Sequence, residues 1–434
     1  MRRDIVHPGA GQLRYEIREI VEFAKKLGQW DISIIWENIG DPIAKGEQIE
    51  SWIKEIISKL TLQDDSYGYV DTQGIQTTRE FLSQQVNKRG GAQITPNDII
   101  FFNGLGDAVA KLFGFLKREA RILGPSPAYS TLSSAEAAHS GYAHLTYDLD
   151  PDQGWQPNLK DIENKVKYND AIAGILLINP DNPTGAVYPK ETLLQIVEIA
   201  RKYNIFIICD ETYANIVFPS YRTAALSEVI GEVPGIALRS LSKEIPWPGA
   251  RCGWIEVFNQ DSDDNFSEYI NSLLNAKRLE VCSTSLPQKA IPALLGHPNY
   301  PGHLEKRAKV FEDRAKEASQ IFDKINGIKM IQPKGALYFT IVFEEGVLKD
   351  GQYLSIPNDD LRIFIESNIN NLEWDKRFVY YLLAQQGICV VPLSGFASPL
   401  KGFRMTLLEV NDGLRREIYQ KVGIAIEEYL SSQS

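Results

Sequence analysis

Through the middle of the chain, short and almost unbroken apolar runs alternate with stretches in which apolar residues recur every three or four positions. The runs 99–102, 171–178, 205–209, 236–238 and 254–257 are β-branched or otherwise apolar at nearly every residue. This is the pattern of strands covered on both faces. Between them, 108–117 places Val109, Leu112, Phe113 and Leu116 at helical spacing, and 191–203 does the same with Leu193, Leu194, Val197 and Ala200. Strands alternating with helices predict a largely parallel sheet. Ligands of such sheets sit at the carboxyl ends of the strands.

From about residue 300 the pattern changes. A long charged amphipathic helix is predicted over 304–325. Strand-like 336–343 and 388–391 then alternate with helices, ending in 414–430. These elements predict a second, smaller α+β unit. The polar stretch 346–360, with its Gly and Pro, reads as an inserted surface loop.

Composition bounds the function without naming it. The 434 residues are enough for two or three domains, and 44% hydrophobic content is that of an ordinary globular chain. A net charge of −10 disfavours nucleic acid as a partner, because phosphate backbones demand a basic face. The start, Met1-Arg2-Arg3-Asp4, has no apolar core behind it and predicts no secretory leader. The longest apolar run, 172–178, is too short to span a bilayer, so no membrane segment is expected. Cys209, Cys252, Cys282 and Cys389 are scattered and read as reduced thiols of a cytoplasmic protein. His7, His139, His144, His297 and His303 are scattered too, without metal-ligand spacing, so no metal is expected.

Several motifs directly follow the predicted strands. Ser240-Leu241-Ser242-Lys243 offers an amine nucleophile, with Arg251 eight positions later. A lysine whose pKa is lowered by burial or a nearby cation can form a Schiff base with a carbonyl. Arginine suits a phosphate because its planar fork donates two parallel hydrogen bonds. Asn103-Gly104-Leu105-Gly106-Asp107 follows a strand and opens a helix, so its amides can face an anion. It lacks the third glycine and the downstream acid of a dinucleotide site. Asp210-Glu211-Thr212-Tyr213 supplies a carboxylate and a phenol, and Asn182-Pro183-Thr184-Gly185 an amide in a turn. Read singly, each has a plainer meaning: a surface lysine, a structural ion pair, a helix cap, a turn.

Taken together, these motifs resemble those of fold-type I pyridoxal-phosphate aminotransferases of class I/II. The resemblance runs from Ile39-Gly40-Asp41-Pro42 to Arg404 in Phe403-Arg404-Met405-Thr406. It implies a large domain, 46–299, with a mostly parallel seven-stranded sheet covered by helices. A smaller domain, 300–434, would be joined by an N-terminal segment, 1–45, that closes over the site. It implies pyridoxal 5'-phosphate held by Lys243, with Asp210 on the ring nitrogen and Tyr213 and Asn182 on the ring oxygen. Ser240, Arg251 and the amides of Gly104, Leu105 and Gly106 would take the phosphate, and Tyr129 would stack on the ring. Tyr69 matches a tyrosine that reaches a neighbouring subunit's phosphate, which implies a homodimer with shared sites.

For the substrate, the resemblance implies Arg404 on the α-carboxylate, with Gly40 and Asn182 beside it. Arg278 lies near where dicarboxylate-specific relatives place a second arginine; its plainer reading is a solvated helix charge. The segments Pro333-Lys334-Gly335-Ala336-Leu337-Tyr338 and Pro392-Leu393-Ser394-Gly395-Phe396 resemble small-domain segments lining the site. The implied reaction moves an amino group between an L-amino acid and a 2-oxo acid. β-Elimination and decarboxylation would use the same Lys243 and Asp210, and a cofactor-binding protein without catalysis is a further alternative.

Overall fold

A computed structural model describes residues 5–13 and 16–432. The opening Met1–Asp4, on which the reading of the N-terminus rests, lies outside them. In chain order the strands are β1 (Ile35–Trp36), β2 (Ile99–Phe102), β3 (Arg121–Ser126), β4 (Thr146–Asp150), β5 (Gln156–Pro157), β6 (Ile172–Ile178) and β7 (Phe206–Asp210). They continue with β8 (Gly235–Ser240), β9 (Gly253–Phe258), β10 (Ile328–Ile331), β11 (Tyr338–Phe343), β12 (Ile388–Cys389), β13 (Val391–Pro392) and β14 (Gly402–Thr406).

The large sheet has the order β2-β9-β8-β7-β6-β3-β4-β5. Neighbours from β8 through β4 run parallel, and β9 runs against both β8 and β2. The five predicted strands are all present, each within two residues of the expected bounds. Eight strands stand where seven were expected, because a two-residue edge strand, Gln156–Pro157, pairs with β4. Strands β2, β8 and β9 are buried at every position. Burying one such side chain contributes about 1.5–3 kcal/mol over leaving it exposed. Apolar side chains from the helices on both faces close the core, including Leu193 and Ile196 on one side and Val109 and Leu112 on the other.

The second sheet, β10-β11-β14-β13, is antiparallel throughout and packs on Tyr300–Phe322 and Asp412–Ser431. The first helix begins at Tyr300 rather than at 304. Pro301 sits in its first turn, where a missing N–H costs nothing. Both chain ends build this part. Ile35 and Trp36 pair in parallel with Ile388 and Cys389, and the helix Glu16–Lys26 buries Ile20 and Phe23 against the same core.

The stretch 346–360 corrects one expectation. It is largely irregular, but it is not a free surface loop. Leu348, Leu354 and Ile356 are buried in the core of the small sheet, and the Gln352 side chain bonds the backbone of Val347 and Lys349.

Because β2, β6, β7 and β8 point the same way, their carboxyl ends lie along one edge of the large sheet. Asn103, Asn179, Asp210 and Ser240 all stand at that edge. Among the described residues no helix is long and apolar enough to cross a membrane.

Candidate active site

A cavity of about 450 Å³ opens over this edge, between the two sheets and under the N-terminal helix. Its lining brings together Gly40, Leu105, Gly106, Tyr129, Asn182, Asp210, Tyr213, Ser240, Lys243, Arg251 and Arg404. Gly104 touches the same place through Arg251. Residues separated by more than three hundred positions in sequence therefore face one space.

One end is a cradle for an anion. The chain leaves β2 at Phe102 and starts the helix Leu105–Gly114, whose first amides have no partners within the helix. Gly104 takes φ +84° and ψ 163°, a conformation open essentially to glycine alone. A Cβ there would lie 2.3 Å from Nη2 of Arg251, so the bare backbone is what lets the guanidinium lie against the loop. Asn103 fixes the loop: its Oδ1 accepts from the Thr284 amide at 3.0 Å, and its own amide donates to Asp107 at 3.0 Å. Thr284 also donates to the Arg251 carbonyl, at 3.2 Å, tying the two halves of the cradle. Ser240 ends β8 and caps the short turn carrying Lys243, accepting from the Ser242 amide at 2.9 Å.

In the middle of the cavity, the Lys243 ammonium donates to the Gly40 carbonyl at 2.5 Å. The backbone of its turn is clamped from behind. Arg307 donates to the Lys243 carbonyl at 2.6 Å while pairing with Glu47, and His303 bonds the Glu244 carbonyl at 2.9 Å. Asp210 ends β7, is 7% exposed, and accepts from the Thr212 amide at 3.0 Å. Burial holds its carboxyl above the usual range. A cation brought against it would restore the charge and gain by doing so. Tyr213 lies across from it, its phenol pushed well up, first by burial and then by Tyr338.

The other end holds a buried guanidinium. Arg404, 1% exposed, donates through Nη1 to Oδ1 of Asn182 at 3.0 Å and through Nη2 to the Asn38 carbonyl. Its Nε and both polar atoms of the Asn38 side chain are buried without a hydrogen-bond partner. Strand register explains its surroundings. Tyr338 pairs with Thr406, and Thr340 with Arg404, so Tyr338 and Arg404 share one face of the small sheet. The Tyr338 ring lies 4.4 Å from the Arg404 guanidinium, and its hydroxyl 3.0 Å from that of Tyr213. Gly40 is glycine for a local reason, because a Cβ there would stand 1.9 Å from the Tyr338 oxygen. The loop bearing Asn38 and Gly40 is fastened at both ends by the pair Glu37–Lys45, at 2.6 Å. Thr406 donates to Glu37, and Glu409 lies against Lys45.

Two expected residues lie outside this cavity. Tyr69 is 86% exposed. Arg278 ends the helix Asp264–Arg278 and spends one nitrogen on Asn275 of its own helix, at 2.7 Å. In contrast, Arg18, Asn38 and Thr131 line the cavity without a motif to flag them. Arg18 could have been found from its helix: Ile17 and Val21, one position before and three after it, mark the inward face.

The family described as "Aminotransferase class I and II" matches residues 35–420. An uncharacterized aminotransferase of Methanocaldococcus jannaschii is 52% identical and is aligned over the full length of both chains. The glutamate-pyruvate aminotransferase AlaA of Escherichia coli is 29% identical, over 90% of this chain and 96% of its own. Among solved structures, an aminotransferase from Escherichia coli superposes with a TM-score of 0.83 at 25% identity, covering 99% of this chain and 98% of its own. The alanine aminotransferase of Pyrococcus furiosus gives 0.82 at 26%, covering 98% and 99%. With the family matched across nearly the whole chain and the motif residues gathered in one cavity, the chain belongs to the class I and II aminotransferases.

Proposed function

We propose that this aminotransferase uses pyridoxal 5'-phosphate and exchanges amino groups between glutamate and pyruvate. The observation that carries the cofactor reading is the cradle at Gly104: a backbone with no room for a Cβ, opposed by a guanidinium and the first amides of a helix. The rest of the donor set fits the same group. Lys243 offers an amine to its aldehyde carbon, Asp210 a buried carboxylate to its ring nitrogen, and Tyr213 and Asn182 donors to its ring oxygen. Tyr129 would lie on its ring, and Ser240 and Arg251 would join the Leu105 and Gly106 amides on its phosphate. Once bound, the group supplies an electron sink for the carbanion left when an amino acid loses its α-proton.

The chain's own residues then have separate tasks. Arg404 takes the α-carboxylate, with Asn182 and the Gly40 loop beside it, and fixes the orientation of the substrate. Lys243 removes the α-proton and returns it. Ile17, Arg18 and Val21 of the helix Glu16–Lys26 and the Gly40 loop line the cavity on its N-terminal side.

The substrate pair is supported by relatives named for glutamate-pyruvate and alanine transfer. Arg18 also supports it, a third arginine in the cavity besides Arg251 and Arg404 and the one suited to a distal carboxylate. The homodimer reading is supported by the exposed side chains of Tyr69, Tyr67 and Leu279, and in such a dimer Tyr69 would be the residue directed to the neighbour's phosphate. A cytoplasmic location follows from the kind of reaction and the free cysteines.

The test is a coupled assay of alanine with 2-oxoglutarate, with pyruvate and ammonia measured separately. Pyruvate without ammonia is expected. Arg18→Ala should lower kcat/KM for 2-oxoglutarate by about ten- to a hundredfold and leave that for alanine within a few fold. Equal losses for both substrates would assign the distal carboxylate elsewhere, with Arg278 of a partner the next candidate. Light scattering of the holoenzyme tests the dimer.

A further inference from the structure

We propose that Tyr338 is a positioning residue that sets the direction of the hydrogen bond in the Tyr338–Tyr213 pair. Its hydroxyl donates to the Tyr213 oxygen, so that Tyr213 keeps its own proton for a ligand in the cavity. The inference rests on the cofactor reading above, because the recipient of that proton is the cofactor's ring oxygen.

Four observations converge on Tyr338. It is 3% exposed, so its hydroxyl has no bulk water to turn to. That hydroxyl lies 3.0 Å from the Tyr213 oxygen, and the two rings meet edge to face at 81° with centroids 5.8 Å apart. Its ring lies against the Arg404 guanidinium at 4.4 Å. The Gly40 loop is stripped of a side chain at the point where the hydroxyl sits. One phenol thus touches the residue assigned to the ring oxygen, the residue assigned to the α-carboxylate and the loop that receives the Lys243 ammonium.

Two facing phenols share a single hydrogen bond, and either can donate. The cavity breaks the symmetry. A phenolate oxygen on the cofactor accepts only, so Tyr213 gains most by donating to it. Tyr338 faces a guanidinium through its ring, and among the described residues the hydrogen-bond partner of its hydroxyl is Tyr213. Its proton therefore goes to Tyr213, and the chain Tyr338 to Tyr213 to ring oxygen runs one way. Hydrogen bonds in such a chain polarise one another and strengthen. The titratable and charged groups around the pair are Asp210, Tyr129, Lys243 and Arg404.

The readout is the visible absorbance of the holoenzyme titrated with pH. A donor on the ring oxygen stabilises the high-pH form of the chromophore, in which that oxygen carries full negative charge, and so lowers the midpoint. Tyr338→Phe keeps the ring and removes the donor. It should raise the midpoint by about 0.2–0.7 of a pH unit, with KM for the amino acid within about twofold. The same substitution made on Tyr213→Phe should shift the midpoint by less than about 0.1 unit, because the link is already cut. Tyr338→Leu, which also strips the ring from Arg404, should in addition raise KM by about 3- to 30-fold. An unshifted midpoint in Tyr338→Phe, or an equal shift with and without Tyr213, overturns the coupling while leaving the cofactor reading intact. A wild-type protein that takes up no pyridoxal 5'-phosphate overturns both.

Discussion

Nη1 of Arg404 reaches Oδ1 of Asn182 at 3.0 Å, across 222 positions of sequence and between the two sheets. Asn182 is itself buried, and the other hydrogen-bond partner of Arg404 among the described residues is the Asn38 backbone carbonyl. Among the described residues, its hydrogen-bond partners are thus neutral oxygens, and the guanidinium keeps its charge for an anion. Arg404→Lys retains the charge and loses the fork. We expect kcat/KM for the amino donor to fall by about 10- to 150-fold, mainly through KM. Steady-state kinetics with alanine check this. A variant with unchanged KM would place the α-carboxylate elsewhere.

Lys243 carries the second prediction. Borohydride reduction of the cofactor-loaded protein should attach the cofactor to this lysine alone, read by tryptic mass mapping. Lys243→Ala should keep some affinity for the cofactor through the Gly104–Arg251 cradle and lose turnover by several orders of magnitude. Label on any other lysine would refute the assignment.

The cradle makes its own prediction. Gly104→Ala puts a side chain where backbone strain costs about 1–3 kcal/mol, and where Arg251 already stands. The cofactor should dissociate at least tenfold faster from this variant, measured by absorbance after dilution into a scavenger, while thermal stability falls by only a few degrees. Unchanged dissociation would mean that Arg251 does not face the phosphate.

Asp181 links stability to pH. Its carboxyl is fully buried behind Asn182. Oδ2 accepts from the Thr184 amide at 3.0 Å and from the Thr184 hydroxyl, and Oδ1 has no partner. Burial pushes this acid up to about 7 from 3.8. Between those values the folded protein holds a proton that the unfolded chain has released, so this group lowers stability as pH rises through the window. Asp181→Asn is neutral throughout. Its melting temperature should pass that of the wild type as pH rises from about 4 to above 7, and the difference in unfolding free energy should reach on the order of 4 kcal/mol at the upper end. Parallel curves for the two proteins would show that the carboxyl does not titrate in this range.

Much of the site was legible because its residues stand next to strong signals. Asp210, Ser240 and Asn103 each sit at or just past the end of a strand whose apolar run stands out in the sequence. What was not legible depends on register and on long-range packing. β3 went unread because Gly124 and Pro125 interrupt its apolar run. In β4 the apolar residues alternate with an exposed Asp148, a pattern too brief to stand out in sequence. Leu348, Leu354 and Ile356 lie in a polar stretch with no helical or strand period, so nothing local says that they turn inward. The segment of Tyr338 resembles one that lines the site, but its contact with Arg404 depends on the pairing of β11 with β14, and its contact with Tyr213 on packing across the two sheets, neither of which the segment encodes. Arg18 is the one arginine of a helix otherwise charged with Glu and Lys, and only Ile17 and Val21 beside it mark its side as facing the cavity.

The pairing of Ile35 with Ile388, and the contact of Asn38 with Arg404 over 366 residues, also order events in time. A ribosome adds roughly 5–20 residues each second, so Asn38 is made on the order of tens of seconds before the arginine it must meet. By the time Phe258 is made the large sheet has all its strands, whereas β12, with which Ile35 pairs, and β14, which carries Arg404, are still to come. Lys243, Asp210 and the Gly104 loop can therefore be assembled before Arg404 and its contacts with Asn38 and Asn182 exist. The cavity is completed last, by the contact that joins the two ends of the chain.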